Sequence, residues 1–195
     1  MERRRAEMTE REKMLSGALY YAGGAELSQA RRRAKELCQR FNQTAVRDPE
    51  EGERLLKELL GRAGEGISVQ PMFWCDYGFN IEMGSHVEIN HNCVILDCAK
   101  VIFGDHVFIG PNCGFYTAGH PLDAATRNAG LEFARPITVG DNVWFGGSVT
   151  VLPGVTIGAG SVIGAGSVVS RDIPPNVVAV GNPCRVVRTI LPEEP

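Results

Sequence analysis

The sequence predicts a mainly β protein, a parallel β-helix with an α-helical cap at its N-terminus. Large apolar residues recur every six positions from Val139 to Val169, and glycine follows four of the first five. The same period occurs between Met83 and Phe115, whereas residues 8–61 lack it. Apolar residues of a helix would recur at 3.6 positions, and a helix would not tolerate this glycine content. Short strands stacked coil on coil have such a period.

The spacing also predicts the shape of each coil. One inward apolar residue per six indicates a coil of about eighteen residues with three flat faces, whose corners are formed by glycine, asparagine and aspartate. The repeat stops at His120 and resumes at Val139. Insertions into solenoids usually lie on one face and carry function. We therefore expect the inserted loop, residues 119–136, to contribute to a functional site.

The chain before the repeats is predicted to be helical. In this interpretation residues 1–61 form a cap and residues 62–190 form the solenoid. Ser28 is suited to begin one helix, and Asp48, followed by proline and two acids, is suited to begin another that ends at Gly61. We expect these helices to cover the open end of the solenoid, where strands would otherwise be unpaired.

The composition is that of an ordinary globular protein, with 44% hydrophobic residues, 22% charged residues and a net charge of -3. This balance gives no reason to expect a nucleic-acid partner. No apolar run approaches the length of about eighteen residues that a membrane span needs, and no apolar stretch typical of a signal peptide follows the N-terminus. The six cysteines form no Cys-x-x-Cys pair. We interpret them as reduced core residues of a cytoplasmic protein.

Six segments carry a resemblance to a known family. They are residues 13–20, 75–81, 93–97, 117–123, 136–140 and 180–183, and the sequence at 117–123 is Thr-Ala-Gly-His-Pro-Leu-Asp. Together they resemble the maltose and galactoside O-acetyltransferase branch of the hexapeptide-repeat acyltransferases, and the first resembles the cap of the maltose enzymes. The resemblance covers the chain from about residue 11 to 190. It implies a left-handed solenoid, a homotrimer, and transfer of an acetyl group from acetyl-CoA to a sugar hydroxyl.

The chemistry of this transfer defines the catalytic groups that are needed. The attacking alcohol must lose a proton to a base, and the oxyanion must meet donors that are already in place. By resemblance, His120 is the general base of a direct attack and Asn90 helps to stabilise the transition state. His120 lies where the repeat breaks, so it can reach a cleft. A histidine in a surface loop and an asparagine at a coil corner are the structural alternatives.

The resemblance also places the contacts to acetyl-CoA. They fall on Gly147, Ala165, Ser170, Arg171, Arg185 and Arg188. The galactoside enzymes carry serine at the position of Gly147, so only main-chain contacts are expected there. The three arginines can bind phosphate bidentately in an otherwise acidic protein, and solvated surface arginines are the alternative.

The acceptor site departs from the galactoside pattern. The candidate acceptor-binding residues are Arg31, Asp76, Tyr77, Asn90, Asp97 and Glu132. Two acidic sugar contacts of the galactoside branch align with Ala22 and Cys98, and a serine aligns with Asp76. This difference favours a maltose- or glucose-type acceptor, or a different and so far untested one. A backbone carbonyl or Glu132 is expected to bind the second ring nitrogen of His120.

A pair of histidines suggests a different function. His86 and His106 hold the same place one coil apart, so their rings are expected to stack about 5 Å apart. Some solenoids of this kind resemble the zinc-dependent gamma-class carbonic anhydrases. The next two coils carry Asn142 and Gly160 in that column, so no metal is expected. The alternative function is a solenoid without transferase activity, either a zinc-dependent hydratase or a binding scaffold.

Overall fold

The structure is a computed structural model that describes residues 8–191. It is mainly β, a parallel solenoid of about six turns with helices at its N-terminal end. The predicted fold class is confirmed. The helices are α1 (Glu10–Ser16), α2 (Ala25–Thr44), α3 (Pro49–Leu59) and α4 (Ala124–Asn128).

The coils contribute strands to three flat faces, which we number in chain order. The first face contains β2 (Arg62–Ala63), β5 (Ile81–Met83), β8 (Val101–Phe103), β13 (Ile137–Val139) and β16 (Thr156–Ile157). The second face contains β3 (Ser68–Val69), β6 (Glu88–Ile89), β9 (Phe108–Ile109), β14 (Trp144–Phe145), β17 (Val162–Ile163), β19 (Val177–Val180) and β20 (Arg185–Thr189). The third face contains β4 (Phe73–Cys75), β7 (Cys93–Leu96), β10 (Gly114–Tyr116), β15 (Thr150–Val151) and β18 (Val168–Val169). The corners between faces form three edges along the solenoid, and each edge is named after the face that precedes it.

The strand register confirms the period of six. In the first face Met83 pairs with Phe103, Phe103 with Val139 and Val139 with Ile157. The corresponding residues of the second and third faces pair in the same way. An earlier coil, formed by β2, β3 and β4, precedes the coils that the sequence predicted. Its inward positions include the small residue Ala63, which weakens the apolar pattern there.

The cap covers the first coil as expected. Helices α2 and α3 contact β4 and β2, and their apolar residues join the solenoid core. The helix start at Asp48 is confirmed, because its side chain accepts a hydrogen bond from the Glu51 N–H. The start at Ser28 is wrong. Helix α2 begins three residues earlier at Ala25, after Gly24, and no side chain caps it.

The insertion contains regular structure where the sequence predicted only a loop. It includes α4 and β12 (Leu131–Ala134), which pairs with β11 (Ala118–Gly119) on one side. On its other side β12 pairs with β1 (Tyr20–Tyr21) of the cap, so the three strands form a small antiparallel sheet. A second apolar core lies beneath this sheet and includes Met14, Leu27 and Tyr77. The cap and the insertion are therefore joined to the third edge.

The structure also describes the state of the cysteines and the character of the helices. All six cysteines are free and buried, as the sequence interpretation expected. Between residues 8 and 191, every helix is too short or too polar to cross a bilayer.

Candidate active site

His120 lies on the third edge, directly after β11, and its side chain is exposed. In the pairing of β11 with β12, Gly119 is opposite Phe133. A Cβ at Gly119 would lie 2.6 Å from the Phe133 ring, so glycine lets this ring pack against the strand. When the register is continued by one residue, His120 falls opposite Glu132.

Glu132 is held from the cap side. Tyr20 lies opposite Glu132 in the register of β1 and β12, and its hydroxyl donates a hydrogen bond to Glu132 Oε2 at 2.9 Å. Tyr20 is fully buried, and this burial raises the pKa of its hydroxyl, which therefore remains a donor. The sequence analysis did not single out Tyr20. Its partner is 112 residues away, and no local pattern connects the two.

Asp97 does not lie where an acceptor could reach it. Its side chain has no exposed surface, and its oxygens accept the backbone N–H groups of Asp76, Tyr77 and Asn80 at 3.0, 2.8 and 3.3 Å. The expectation that Asp97 binds the acceptor is therefore corrected, since this carboxylate holds the backbone of residues 76–80 in place. Desolvation raises the pKa of Asp97 to about 6.

Asp76 and Tyr77 follow β4 on the third edge, where Asp76 is half-buried and Tyr77 is buried in the second apolar core. The Cys98 thiol donates to Asp76 Oδ2 at 3.6 Å, and burial chiefly raises the pKa of Asp76, with a further contribution from the Glu132 charge. Arg31 of α2 donates to the Tyr77 hydroxyl at 2.7 Å and its guanidinium lies over the Tyr77 ring. Asp76 and Glu132 are only half-buried, so they are the carboxylates that a hydroxyl-rich acceptor could contact.

Asn90 lies on the second edge, directly after β6, and it is exposed. Its Oδ1 accepts the His91 N–H at 2.7 Å. This contact occupies the Asn90 oxygen, and the amide nitrogen has no hydrogen-bond partner among residues 8–191. A groove of about 230 Å³ adjoins Asn90 on the second face and is lined in part by Phe108 and Trp144. The Asn90 amide can thus donate to a developing negative charge beside this groove, whose lining also includes the polar residues Ser68, Gln70 and Glu88.

Gly147 and Ala165 lie on the same edge as Asn90. The Gly166 N–H donates to the Gly147 carbonyl at 2.9 Å, which stacks these two corners. Strands are spaced about 4.8 Å apart, so the three coil steps from Asn90 to Ala165 span about 14 Å. The second edge therefore offers a continuous line of backbone groups along which an extended ligand could lie.

The other predicted acetyl-CoA contacts lie elsewhere. Ser170 and Arg171 follow β18 on the third edge, and both are exposed. Arg185 and Arg188 lie on β20, which pairs with β19 on the second face. Within one chain, the third face separates the two edges by roughly 15–20 Å. A single chain therefore does not bring the six predicted contacts together.

The predicted histidine stack is confirmed on the first edge. The rings of His86 and His106 lie 4.8 Å apart at an angle of 18°. Both residues have the left-handed backbone typical of a corner, with φ of 57° and 54°. In the part of the chain that the structure describes, no group of three or more histidine, cysteine, aspartate or glutamate side chains is placed to hold a metal ion.

Two family models match the chain. Residues 13–64 match the maltose acetyltransferase hexapeptide capping motif, and residues 136–171 match the bacterial transferase hexapeptide (six repeats). With the parallel solenoid, these matches define a hexapeptide-repeat acyltransferase.

Solved structures narrow this class. A maltose O-acetyltransferase from Clostridium difficile 630 is 50% identical with a TM-score of 0.93, and the match covers 94% of this chain and 98% of that one. An acetyltransferase from Vibrio cholerae solved with acetyl-CoA is 43% identical with a TM-score of 0.88, covering 94% and 100%. A galactoside acetyltransferase solved with coenzyme A is 43% identical with a TM-score of 0.92, covering 95% and 92%. The chain belongs to the maltose and galactoside O-acetyltransferase branch of this family and is an acetyltransferase.

Proposed function

We propose that this acetyltransferase transfers the acetyl group of acetyl-CoA to a hydroxyl of a maltose- or glucose-type sugar at sites between the subunits of a homotrimer. The observation that carries the proposal is the division of the candidate residues between two edges. Asn90, Gly147 and Ala165 lie on the second edge, whereas His120 and Arg171 lie on the third. The two edges flank the same face.

A cyclic trimer unites these edges. If the third face of each subunit points toward a threefold axis, the second edge of one subunit lies beside the third edge of its neighbour. Such a head-to-tail interface closes into a ring when the rotation is 120°. Each groove then receives Asn90 from one subunit and His120 from the next, so three complete sites form.

The outward side chains of the third and first faces support this arrangement. Outward residues of the third face include Trp74, Val94 and Val168, which are apolar and only half-buried in the single chain. The first face instead carries an ion pair between Arg62 and Glu82 at 3.8 Å. Because interface cores are depleted of charged residues, the third face is better suited to subunit contact than the first.

The reaction follows from the groups that line the groove. The acceptor hydroxyl, held near Asp76 and Glu132, loses its proton to a ring nitrogen of neutral His120 as its oxygen attacks the thioester carbon. The Asn90 amide donates to the oxyanion of the tetrahedral intermediate. The carbon–sulfur bond then breaks, and His120 returns the proton to the leaving thiolate. The products are an acetylated sugar and coenzyme A, and no residue of the enzyme is acetylated.

A sugar panel tests the activity. Purified protein is mixed with acetyl-CoA and individual sugars, and the release of free thiol is measured for each. Acceptor-dependent release that is greatest for maltose or glucose supports the proposal. Bound zinc without thiol release would favour the zinc-dependent hydratase, and neither metal nor release would favour the binding scaffold.

A complementation experiment tests the shared site. Asn90→Ala and His120→Ala subunits, each expected to keep at most about 1% of the wild-type rate alone, are mixed in equal amounts, unfolded and refolded. Random mixing gives about one quarter of the sites an intact Asn90 and an intact His120 from neighbouring subunits. Recovery of about a quarter of the wild-type rate supports the shared site. A persistent absence of activity, or an active monomer in sedimentation, would contradict it.

A further inference from the structure

We propose that Tyr20 is a positioning residue for acetyl transfer, which acts through Glu132 on the general base His120. This inference rests on the proposed function, because it requires His120 to accept the proton. It assigns a role in the reaction to a residue of the cap that lies outside the groove between subunits.

The three residues fall in one row across the small antiparallel sheet. Tyr20 is opposite Glu132 on one side of β12, and the register of β11 continued past Gly119 puts His120 opposite Glu132 on the other side. Directly opposite residues of antiparallel strands have Cβ atoms about 4.5–5.5 Å apart, with side chains on the same face. The Glu132 carboxylate binds the buried Tyr20 phenol on one side, and by this extended register we place the exposed His120 on its other side.

The hydrogen bonds of Glu132 leave one oxygen available for His120. Oε2 accepts the Tyr20 hydroxyl at 2.9 Å, and Oε1 has no hydrogen-bond partner within residues 8–191. An imidazole N–H of His120 can donate to Oε1. That contact fixes the tautomer in which the other ring nitrogen accepts the proton of the acceptor hydroxyl.

The packing of Tyr20 makes it a rigid support. Its ring is fully buried in the second apolar core, beside residues of α1, α2 and the third edge such as Met14, Leu27 and Tyr77. The hydroxyl cannot leave Glu132 without disturbing this core, and it stays protonated because burial raises its pKa. The cap thus determines the direction of the Glu132 carboxylate, and through it that of the base.

Tyr20→Phe tests the role of the hydroxyl while keeping the ring. We expect kcat per folded subunit, corrected by thermal unfolding measured in parallel, to fall about tenfold because the base is less well aligned. The KM for acetyl-CoA should not change. Tyr21→Phe is the matched control, since Tyr21 is the next residue of the same strand and is 49% exposed. It should keep the wild-type kcat.

A double variant distinguishes positioning from simple stabilisation. If Tyr20 acts through Glu132, adding Tyr20→Phe to Glu132→Gln should lower kcat no further than Glu132→Gln alone. Losses that multiply in the double variant, or a Tyr20→Phe enzyme with full kcat, would overturn the inference. A fully active His120→Ala enzyme would instead overturn the proposed function itself, so the two failures can be distinguished.

Discussion

The second and third edges of the solenoid carry the two halves of the candidate site, but they are built differently. Asn90, Gly147 and Ala165 on the second edge are the first or second residues after an inward apolar residue, so the repeat alone positions them. The third edge depends on additions to the repeat. Asp97 holds its backbone from within, α2 supplies Arg31, and the insertion supplies His120. The second edge is thus a product of the repeat, whereas the third edge also depends on the cap and the insertion.

Loss of the base on the third edge should have the largest effect. His120→Ala should lower kcat by about 10²–10⁴-fold, the usual contribution of a positioned base, while assembly and acetyl-CoA binding persist. Steady-state kinetics and sedimentation measure both properties. His106→Asn on the first edge is the control, because the next coil already has Asn142 in that left-handed corner. A His120→Ala enzyme with near full kcat would show that His120 is not the general base.

Loss of the hydrogen-bond donor Asn90 on the second edge should lower kcat somewhat less. Asn90→Ala removes an amide that lines the groove, and one oxyanion donor contributes about 10²–10³-fold to kcat. The KM for acetyl-CoA should change little, because the backbone of Gly147 and Ala165 is untouched. Asn142→Gly on the first edge is a suitable control. If Asn90→Ala raised KM without lowering kcat, Asn90 would bind the ground state only.

Replacing the arginines of β20 should weaken the binding of acetyl-CoA, the acetyl donor, and leave the binding of the sugar unchanged. Arg185→Ala and Arg188→Ala each remove a charged donor, which should weaken acetyl-CoA binding by about 1.5–3 kcal/mol and raise its KM. The KM for the sugar should be spared. This loss of acetyl-CoA binding should be smaller when the acetyl donor lacks the 3′-phosphate. Equal losses with and without the 3′-phosphate would rule out a contact between the arginine and that phosphate. Arg62→Ala on the first face should leave donor kinetics unchanged.

The sequence predicted the parts of the fold that depend on local repetition. The period of six is a property of neighbouring residues, so the sequence predicts the inward positions, and Met83, Phe103 and Val139 pair in register as that period requires. The helix start at Asp48 was likewise readable, since capping depends on adjacent residues. The coil that contains Ala63 was missed because small inward residues give little apolar contrast.

The third edge was harder to predict because its contacts join distant segments. Tyr20 and Glu132 are 112 residues apart, and nothing in either neighbourhood indicates the other. Asp97 was identified as a polar residue of interest, but its burial depends on how residues 76–80 wrap around it. The chemistry of a residue is visible in the sequence, whereas its access to solvent is set by the tertiary structure.

The smallest predicted effect concerns the pH dependence of stability. In Asp97, desolvation and three backbone N–H donors oppose each other, and desolvation dominates, so that the pKa rises from 3.8 to about 6. Between these values the folded state binds a proton that the unfolded state releases. The resulting stabilisation is therefore full below pH 3.8 and is lost as the pH rises through 6.

Asp97→Asn removes this titration while keeping the shape of the side chain. Denaturant unfolding of both proteins at a series of pH values isolates the contribution of Asp97 to the pH dependence of stability, because the two proteins share all other titratable groups. A shift of this size corresponds to about 3 kcal/mol over the whole titration, so the wild-type protein should lose about 2–3 kcal/mol of stability relative to Asp97→Asn as the pH rises from 4 to 7. A relative gain over the same range would mean that the three amide donors outweigh burial. In that case Asp97 would hold the third edge most firmly as a carboxylate.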